Sequence, residues 1–403
     1  MTMTAPETVE TAVTYDKPFD CDNHYYEKVD AFSRHLDRKF RYRGVEVIKR
    51  GRHTQLLAGG VILEFVPNPT FDPIIVPGCL DLRFRGQIPE GVDPRGLMKV
   101  EPLNPAYQDP ALRLPVLEEQ GLSGVILLPT LACGVQEALK NDVPALMATQ
   151  TAFNRWLEED WTFNYQGRIV STPMLEFADP ALAVAELDYL AAHGTKVVYV
   201  RPAPIPASGG KSKPFGAPEY DKVWAKLVET NIVVAFHLSD SGYNQFAAAW
   251  GGPAKFVPFR EPSPLSSLLV SDRAIHDTIA TLIMGGVFTR HPNLRVASIE
   301  NGSDWVHLLL KRLNKQANQA PWVFKESPLE SLRRIWVAPY YEEDVRKLAD
   351  VLGVDRVLFG SDWPHGEGLE NPIDFTKELG GFTDDEIDQI MRTNTLDLLD
   401  LPY

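Results

Sequence analysis

The chain has 403 residues, of which 44% are hydrophobic and 23% are charged, and its formal net charge at pH 7 is −14. This length exceeds that of an average domain, although a barrel with insertions reaches it as a single domain. A surface with this negative charge repels phosphate backbones and anionic membranes, so we expect neither nucleic acid nor a membrane as a partner.

The three cysteines, Cys21, Cys79 and Cys133, form no C-x-x-C pair. Their number and spacing do not indicate a disulfide framework and favour a reducing cytoplasm.

The amino terminus differs in composition from the rest of the chain. Residues 1–16 are rich in Thr and Ala and lack the apolar core of a signal peptide. No apolar run elsewhere approaches the length that crosses a membrane. We therefore predict a flexible arm over residues 1–16 and a folded domain over residues 17–403.

The first predicted strand covers residues 17–24 and is followed by a predicted helix from Asp30 to Leu36. Because the side-chain period of a strand is two, Asp20, Asp22 and His24 are expected on one side, with Cys21 on the other.

Residues 41–110 have a different character from the segments around them. Apolar runs over residues 45–48 and 61–65 predict a hairpin around Gly59 and Gly60, and closely spaced prolines follow. We interpret this region as an insertion or cap after the first strand.

From residue 110 onward, short apolar runs alternate with helical patterns. Predicted strands begin near residues 17, 123, 168, 196, 232, 294, 334 and 356, and a helix follows each. Such alternation implies a parallel sheet. Eight units without a Gly-rich phosphate-binding fingerprint favour an α/β fold of the closed (β/α)₈ TIM barrel type over an open doubly wound sheet.

Ionisable residues fall at the carboxyl ends of these predicted strands. They are Asp22 and His24 on the first strand, His237 on the fifth, Glu300 on the sixth and Asp362 on the eighth. In a barrel these ends surround one pocket. Two imidazoles and two carboxylates suit Zn²⁺, our preferred ion, or Mn²⁺, so we predict a metal site made of Asp22, His24, His237 and Asp362. Glu300 is then predicted to act as a general acid or base.

Two further residues are candidates for the site. His365 follows Asp362 closely and is predicted to handle protons or bind substrate, the alternative being an exposed loop histidine. Arg201 ends the fourth predicted strand and is predicted to orient a substrate carboxylate, the alternative being an ion pair with a nearby acid.

Several of these motifs carry a family resemblance. The motifs that carry this resemblance are the Asp-x-Asp-x-His run over residues 20–24, the strand-end His237, the segment 298–302 with Trp305, and the Gly-Ser-Asp-Trp-Pro-His run over residues 360–365. They resemble the metal-dependent amidohydrolase-related barrels that include aminocarboxymuconate semialdehyde decarboxylase and resorcylate-type decarboxylases. The resemblance spans nearly all of the chain except the arm and the insertion.

The resemblance also has implications for the site. The family's first strand supplies His-x-His or Glu-x-His to the metal, so Asp22 and His24 match by position, and His237 and Asp362 match the fifth-strand and eighth-strand ligands. Decarboxylases of this group present a His on the sixth strand, where this chain has Glu300.

The function implied is that of a metal-dependent enzyme that acts on a small carboxylated or aromatic molecule. The reaction is hydrolysis or non-oxidative carbon–carbon cleavage, and a homodimer is expected. Two alternatives stay open. One is a lactone or amide hydrolase without decarboxylase activity, and the other is an inactive barrel used as a binding or assembly module, with residues 41–110 as its partner surface.

Overall fold

The computed structural model describes residues 13–51, 53–66, 68–255 and 263–402. Of the predicted arm, residues 1–12 lie outside these ranges. Tyr15, near the end of the predicted arm, is buried, and its hydroxyl donates a hydrogen bond to the Gly167 carbonyl at 2.7 Å.

The strands are β1 Phe19–His24, β2 Val45–Arg50, β3 His53–Ala58, β4 Val61–Leu63, β5 Ile74–Ile75, β6 Val100–Glu101, β7 Gly124–Leu128, β8 Asn164–Tyr165, β9 Ile169–Ser171, β10 Val197–Val200, β11 Ile205–Ala207, β12 Lys211–Lys213, β13 Val233–His237, β14 Val296–Ile299 and β15 Ile335–Val337. The α-helices are α1 Asp81–Phe84, α2 Pro110–Glu119, α3 Ala132–Leu139, α4 Val143–Trp161, α5 Pro180–Ala192, α6 Asp221–Glu229, α7 Asn244–Ala249, α8 Pro264–Val270, α9 Arg273–Met284, α10 Val287–Arg290, α11 Asp304–Gln319, α12 Pro328–Leu332, α13 Val345–Leu352, α14 Asp384–Asp388 and α15 Asn394–Leu399.

Two sheets of parallel strands lie at the centre of the fold. One has the order β1-β7-β9-β8, in which only β8 runs antiparallel to its neighbour, and the other has the order β10-β13-β14-β15. Isolated parallel bridges link Met174 to Tyr199, Val337 to Val357, and Asn23 to Trp363. The last two place residues 357–363 between β15 and β1. An α/β architecture of parallel strands is thereby confirmed, with the eighth predicted strand reduced to a bridged segment.

Strand alternation divides the apolar side chains into two clusters. On β13, Val233 and Ala235 belong to a small cluster shared with β14 and β15, whereas Val234 and Phe236 belong to the larger cluster packed against the helices. Because alternate residues face the same side, His237 continues the row of Val233 and Ala235. The smaller cluster therefore leads directly to a histidine at the carboxyl end of β13.

Helix α15 covers the opposite ends of these strands. Leu396, Leu398 and Leu399 pack into the smaller cluster. Arg295, which precedes β14, donates a hydrogen bond to the Leu398 carbonyl at 2.6 Å. The amino ends of the strands are thus filled with apolar side chains, and the carboxyl ends are left for polar ones.

The sequence pattern of residues 384–399 predicts a closing helix that is capped by Thr383. The structure confirms the cap, because the Thr383 hydroxyl and the Glu386 carboxylate form a capping box at the start of α14. A π-helical turn over Gln389–Thr393 separates α14 from α15.

The helix predicted from Asp30 to Leu36 is wrong. This stretch is a series of hydrogen-bonded turns, in which Ser33 N and Arg34 N both bond to the Asp30 carbonyl. The Arg34 side chain bridges the carboxylates of Asp30 and Asp160. The pair with Asp160 is a tertiary contact, which the local sequence pattern does not contain.

Within residues 41–110, a three-stranded antiparallel sheet has the order β2-β3-β4. Ala58 pairs with Val61 across the turn at Gly59 and Gly60, whose φ values of 57° and 78° suit a two-residue hairpin. The strand that enters this turn is β3, which was not predicted, and β2 pairs with it from the other side. No helix among the described residues has both the length and the apolar character to cross a membrane.

Substitution of Leu398 by Ala tests the role of α15. Leu398 is fully buried, and Leu398→Ala should lower the free energy of unfolding by about 2–5 kcal/mol, because it leaves a cavity in the smaller cluster. The matched control is Leu268→Ala, at a side chain that is 84% exposed, which should change stability by less than about 0.5 kcal/mol. Urea denaturation of both variants measures the difference, and equal values would contradict the packing.

Candidate metal centre

The structure brings together all five ionisable residues predicted at the strand ends. Asp22, His24, His237 and Glu300 each offer one donor atom, and these atoms lie within 4.8 Å of one another. Asp362 joins the same pocket, with its Oδ1 3.3 Å from His24 Nε2. These residues are far apart in sequence, and only the parallel strands bring them to one place.

An irregularity in β1 directs its side chains. The pairing of β1 with β7 shifts register between Asp20 and Asn23. Cys21 lies in the smaller apolar cluster and is not part of the donor cluster, while Asp22 and His24 reach the pocket. The expectation that Asp20 shares their side is corrected, because Asp20 bonds to Asn23 and Ser361 instead.

Glu300 and Asp362 enter the pocket through unusual backbone conformations. Their φ values are 55° and 56°, a region that costs a non-glycine residue roughly 1–2 kcal/mol. On β14, Ala297 and Ile299 face the smaller cluster, so regular alternation would send Glu300 to the other side. The positive φ interrupts this alternation at the end of the strand.

The donor atoms are close together and poorly hydrogen-bonded. His237 Nε2 lies 2.9 Å from Glu300 Oε2 and 3.6 Å from Asp22 Oδ1, and His24 Nε2 lies 3.4 Å from the same Asp22 oxygen. Asp22 Oδ1, His24 Nε2 and His237 Nε2 are buried and have no hydrogen-bond partner among the described residues. Leaving such atoms unpaired is costly, and a cation bound between them would remove the cost.

His237 also has a suitable tautomer. Its Nδ1 lies 3.0 Å from the Leu238 carbonyl, an acceptor that requires a proton on Nδ1. The lone pair of a neutral ring is then on Nε2, which faces Asp22 and Glu300. A backbone carbonyl that orients a metal-binding histidine in this way is a common arrangement. The donor set therefore fits a divalent cation.

The surroundings of Glu300 and His237 raise the pKa values of both groups. Burial, followed by the Asp362 carboxylate, raises the pKa of Glu300. Burial favours the neutral form of His237, but the Glu300 carboxylate and the neighbouring side chains of Asp22 and Cys133 together raise the pKa of the imidazole. The carboxylates of the pocket thus carry more negative charge than its imidazoles can neutralise. Additional protons or a bound cation would balance the excess.

His365 lies within the pocket and not on an exposed loop. Its Nδ1 is 2.6 Å from Asp362 Oδ1, its Nε2 is 3.3 Å from the Thr130 hydroxyl, and its ring packs on His24 with centroids 4.0 Å apart. Burial alone would lower its pKa, but the Asp362 carboxylate raises the pKa of His365 to about 10. The Asp362 carboxylate thereby favours the protonated form of His365.

Glu367 is a site residue that the sequence did not indicate. A carboxylate oxygen of Glu367 lies within 4.8 Å of those of Glu300 and Asp362, and its Oε2 is buried without a hydrogen-bond partner among the described residues. Burial, followed by the Asp362 charge, raises the pKa of Glu367 to about 8. Its only sequence signal was its position, five residues after Asp362 in a loop with no regular period.

Arg201 lies outside this cluster. Its Nη1 is 2.7 Å from Glu137 Oε2 and 3.0 Å from the Asp240 carbonyl, and its side chain is buried. The structure thus places Arg201 in the ion pair that was the alternative interpretation. Its predicted contact with a substrate carboxylate stays a prediction.

The chain is similar to known proteins over most of its length. A family model described as Amidohydrolase matches residues 20–401. The crystal structure of amidohydrolase map2389c from Mycobacterium avium subsp. paratuberculosis K-10 is 54% identical, with a TM-score of 0.92, and the match covers 97% of this chain and 99% of that chain. Decarboxylase orsB of Emericella nidulans is 23% identical over 249 residues, which are 58% of this chain and 70% of that protein.

A more distant structure shares the fold. Dihydroxybenzoic acid decarboxylase from Polaromonas sp. JS666, crystallised with manganese and the inhibitor 2-nitroresorcinol, is 15% identical with a TM-score of 0.56, and the match covers 80% of this chain and 93% of that chain. With a family match over nearly its whole length, the chain belongs to the amidohydrolase family and is an enzyme of the hydrolase or carboxy-lyase type.

Proposed function

We propose that this chain is a metal-dependent decarboxylase of a small carboxylated aromatic molecule. The observation that carries the proposal is the convergence of buried donor atoms without hydrogen-bond partners at the strand ends, at Asp22, His24 and His237. The decarboxylases among the similar proteins support the reaction type and the substrate class.

We also propose that the parallel strands close into a (β/α)₈ barrel. The bridge between Asn23 and Trp363 and the hydrogen bond from Asp362 N to the Asp22 carbonyl at 2.8 Å support closure between the first and last strand segments. Closure would make the carboxyl ends the rim of one pocket.

The proposed ligands are Asp22, His24, His237 and Asp362, with Zn²⁺ or Mn²⁺ as the ion. When bound, the ion would polarise a substrate oxygen and so stabilise the negative charge that is left on the substrate when CO₂ departs. The manganese of the Polaromonas enzyme supports a divalent ion of this kind.

The chain's own residues would supply the proton. In non-oxidative decarboxylation, the bond between a ring carbon and the carboxylate breaks, CO₂ leaves, and the electron pair stays on the ring carbon. The Glu300 carboxyl group, whose Oε2 faces the donor cluster, would donate the proton that this carbon takes up and regain one from solvent. The buried ring of Tyr26 beside His365, with the ring of Phe71 stacked on it, would exclude water from the substrate.

Hydrolysis of a lactone or amide at the same centre is the second candidate. It is supported by Glu300 itself, because a carboxylate 2.9 Å from His237 Nε2 is well placed to take a proton from a nucleophilic water. Release of CO₂ distinguishes the two reactions.

Removal of one proposed ligand should abolish tight metal binding. His237→Ala and Asp362→Ala should each lower bound Zn²⁺ or Mn²⁺ from stoichiometric to trace amounts, measured by elemental analysis after dialysis, with an unchanged circular dichroism spectrum. The matched control is His291→Ala, at a histidine paired with Asp221 outside the cluster, which should keep the metal. Full occupancy in both ligand variants would exclude the assignment.

Substitution of Glu300 by Gln separates proton transfer from metal binding. Glu300→Gln keeps the four proposed ligands and should retain the ion, but kcat for CO₂ release from carboxylated aromatic acids should fall by about 10²–10⁴-fold. The control is Glu118→Gln, at a carboxylate paired with Arg168 on the surface. A metal-loaded wild-type enzyme that cleaves lactones or amides and releases no CO₂ would replace the first proposal with the second.

A further inference from the structure

A buried carboxylate behind the proposed metal centre holds two ligand-bearing segments by their backbones. Asp20 is fully buried, and its Oδ1 accepts hydrogen bonds from the N–H groups of Asp22 and Ser361, each at 3.0 Å. Its Oδ2 accepts from the Ser361 hydroxyl at 2.5 Å and from the Asn23 amide at 2.8 Å. One side chain therefore fastens β1 to the residue just before Asp362.

Asn23 connects this carboxylate to a buried cation. Its Oδ1 accepts a hydrogen bond from Arg113 on α2, and the same guanidinium donates to the His24 carbonyl at 2.9 Å. Arg113 is fully buried, with its guanidinium 4.2 Å from the centre of the Trp363 ring. Its Nε and Nη1 have no hydrogen-bond partner in the described part of the chain. The positive charge thus faces Asp20 through the Asn23 amide.

Strand pairing alone does not require the hydrogen-bond network formed by Asp20, Asn23, Arg113 and Ser361. The first and last segments are already joined by backbone hydrogen bonds from Asp362 N to the Asp22 carbonyl and from His24 N to the Trp363 carbonyl, both at 2.8 Å. Buried charges often cost more free energy than apolar side chains of similar volume. The network adds hydrogen bonds to the main chain at Asp22, His24 and Ser361. Asp22 and His24 are proposed ligands, and Ser361 is the residue just before the proposed ligand Asp362.

We propose that Asp20, Asn23 and Arg113 are positioning residues that set the spacing of the donor atoms of Asp22, His24 and Asp362. None of the three belongs to the donor cluster. The inference rests on the proposed metal site and extends it to residues that act through the ligands. Outer partners of metal ligands typically account for a 10–100-fold change in affinity, because they fix the orientation of the ligands.

The experiment compares Zn²⁺ affinity in the full chain and in its variants. Asp20→Asn replaces one carboxylate oxygen, which accepts two hydrogen bonds, by an amide NH₂ donor. It should raise the Kd for Zn²⁺, measured by competition with a chelator, by about 10–100-fold. Ser361→Ala keeps Asp20 and the N–H bond at residue 361, and should raise the Kd by a smaller factor. The electron paramagnetic resonance spectrum of bound Mn²⁺ should change in both variants, because the geometry of the donors changes.

A matched control separates positioning from general destabilisation. Glu186 is another buried carboxylate, bonded to Asn154 and Arg155 and absent from the donor cluster, and Glu186→Gln should leave the Kd and the Mn²⁺ spectrum unchanged even if the thermal midpoint falls. An equal loss of affinity in this control would overturn the proposal.

The remaining outcomes are also decisive. Wild-type Kd values in both Asp20→Asn and Ser361→Ala would overturn the positioning role while leaving the metal site intact. If Asp20→Asn does not fold, the Kd of Ser361→Ala for Zn²⁺ decides. A wild-type Kd would overturn the positioning role, and a raised Kd would support it. A wild-type protein that binds neither Zn²⁺ nor Mn²⁺ would instead contradict the proposed function, and the inference with it.

Discussion

The crowding of four carboxyl groups and three imidazoles in one buried pocket is the constraint around which this fold is arranged. Asp22, Glu300, Asp362 and Glu367 cannot all be ionised there without compensating charge. Part of the compensation is visible, since His365 bonds to Asp362. The atoms that still lack partners mark where a cation fits.

The apolar architecture makes this crowding possible. Alternation along the strands sends one row of side chains into the smaller cluster, and α15 fills that cluster at the amino ends. The carboxyl ends are the remaining place where polar side chains of several strands can meet. Gly360 contributes in a specific way, because a Cβ at this position would lie 2.6 Å from the Cβ of Asp22. A side chain there would displace a proposed ligand.

Local backbone conformation does as much as the strands to form the site. The register shift in β1 and the positive φ values at Glu300 and Asp362 each change where a strand-end side chain goes. Strain of this kind persists when surrounding contacts enforce it. At Glu300 one such contact is the hydrogen bond from the Tyr340 hydroxyl to its carbonyl, at 3.1 Å.

Much of the scaffold follows from sequence periodicity, because continuous apolar runs and turn residues are local properties. The starts of β7, β9, β10, β13, β14 and β15 lie within two residues of the predicted positions. The predicted helix from Asp30 to Leu36 failed in a stretch of turns whose Arg34 pairs with Asp160, a tertiary contact that local periodicity does not contain. The strand β3 was missed because its polar residues, such as His53 and Gln55, conceal the alternation.

For the site, the sequence by itself indicated the candidate donors at the ends of the predicted strands, namely Asp22, His24, His237, Glu300 and Asp362, because parallel strands bring their carboxyl ends together. Only the tertiary structure decided that His365 and Glu367 enter the pocket, that Arg201 is paired with Glu137, and that Asp20 bonds to Ser361. These outcomes depend on loop conformation and on tertiary contacts. In the case of Asp20, the contact joins residues more than 300 positions apart in the sequence. Neither leaves a periodic trace in the chain.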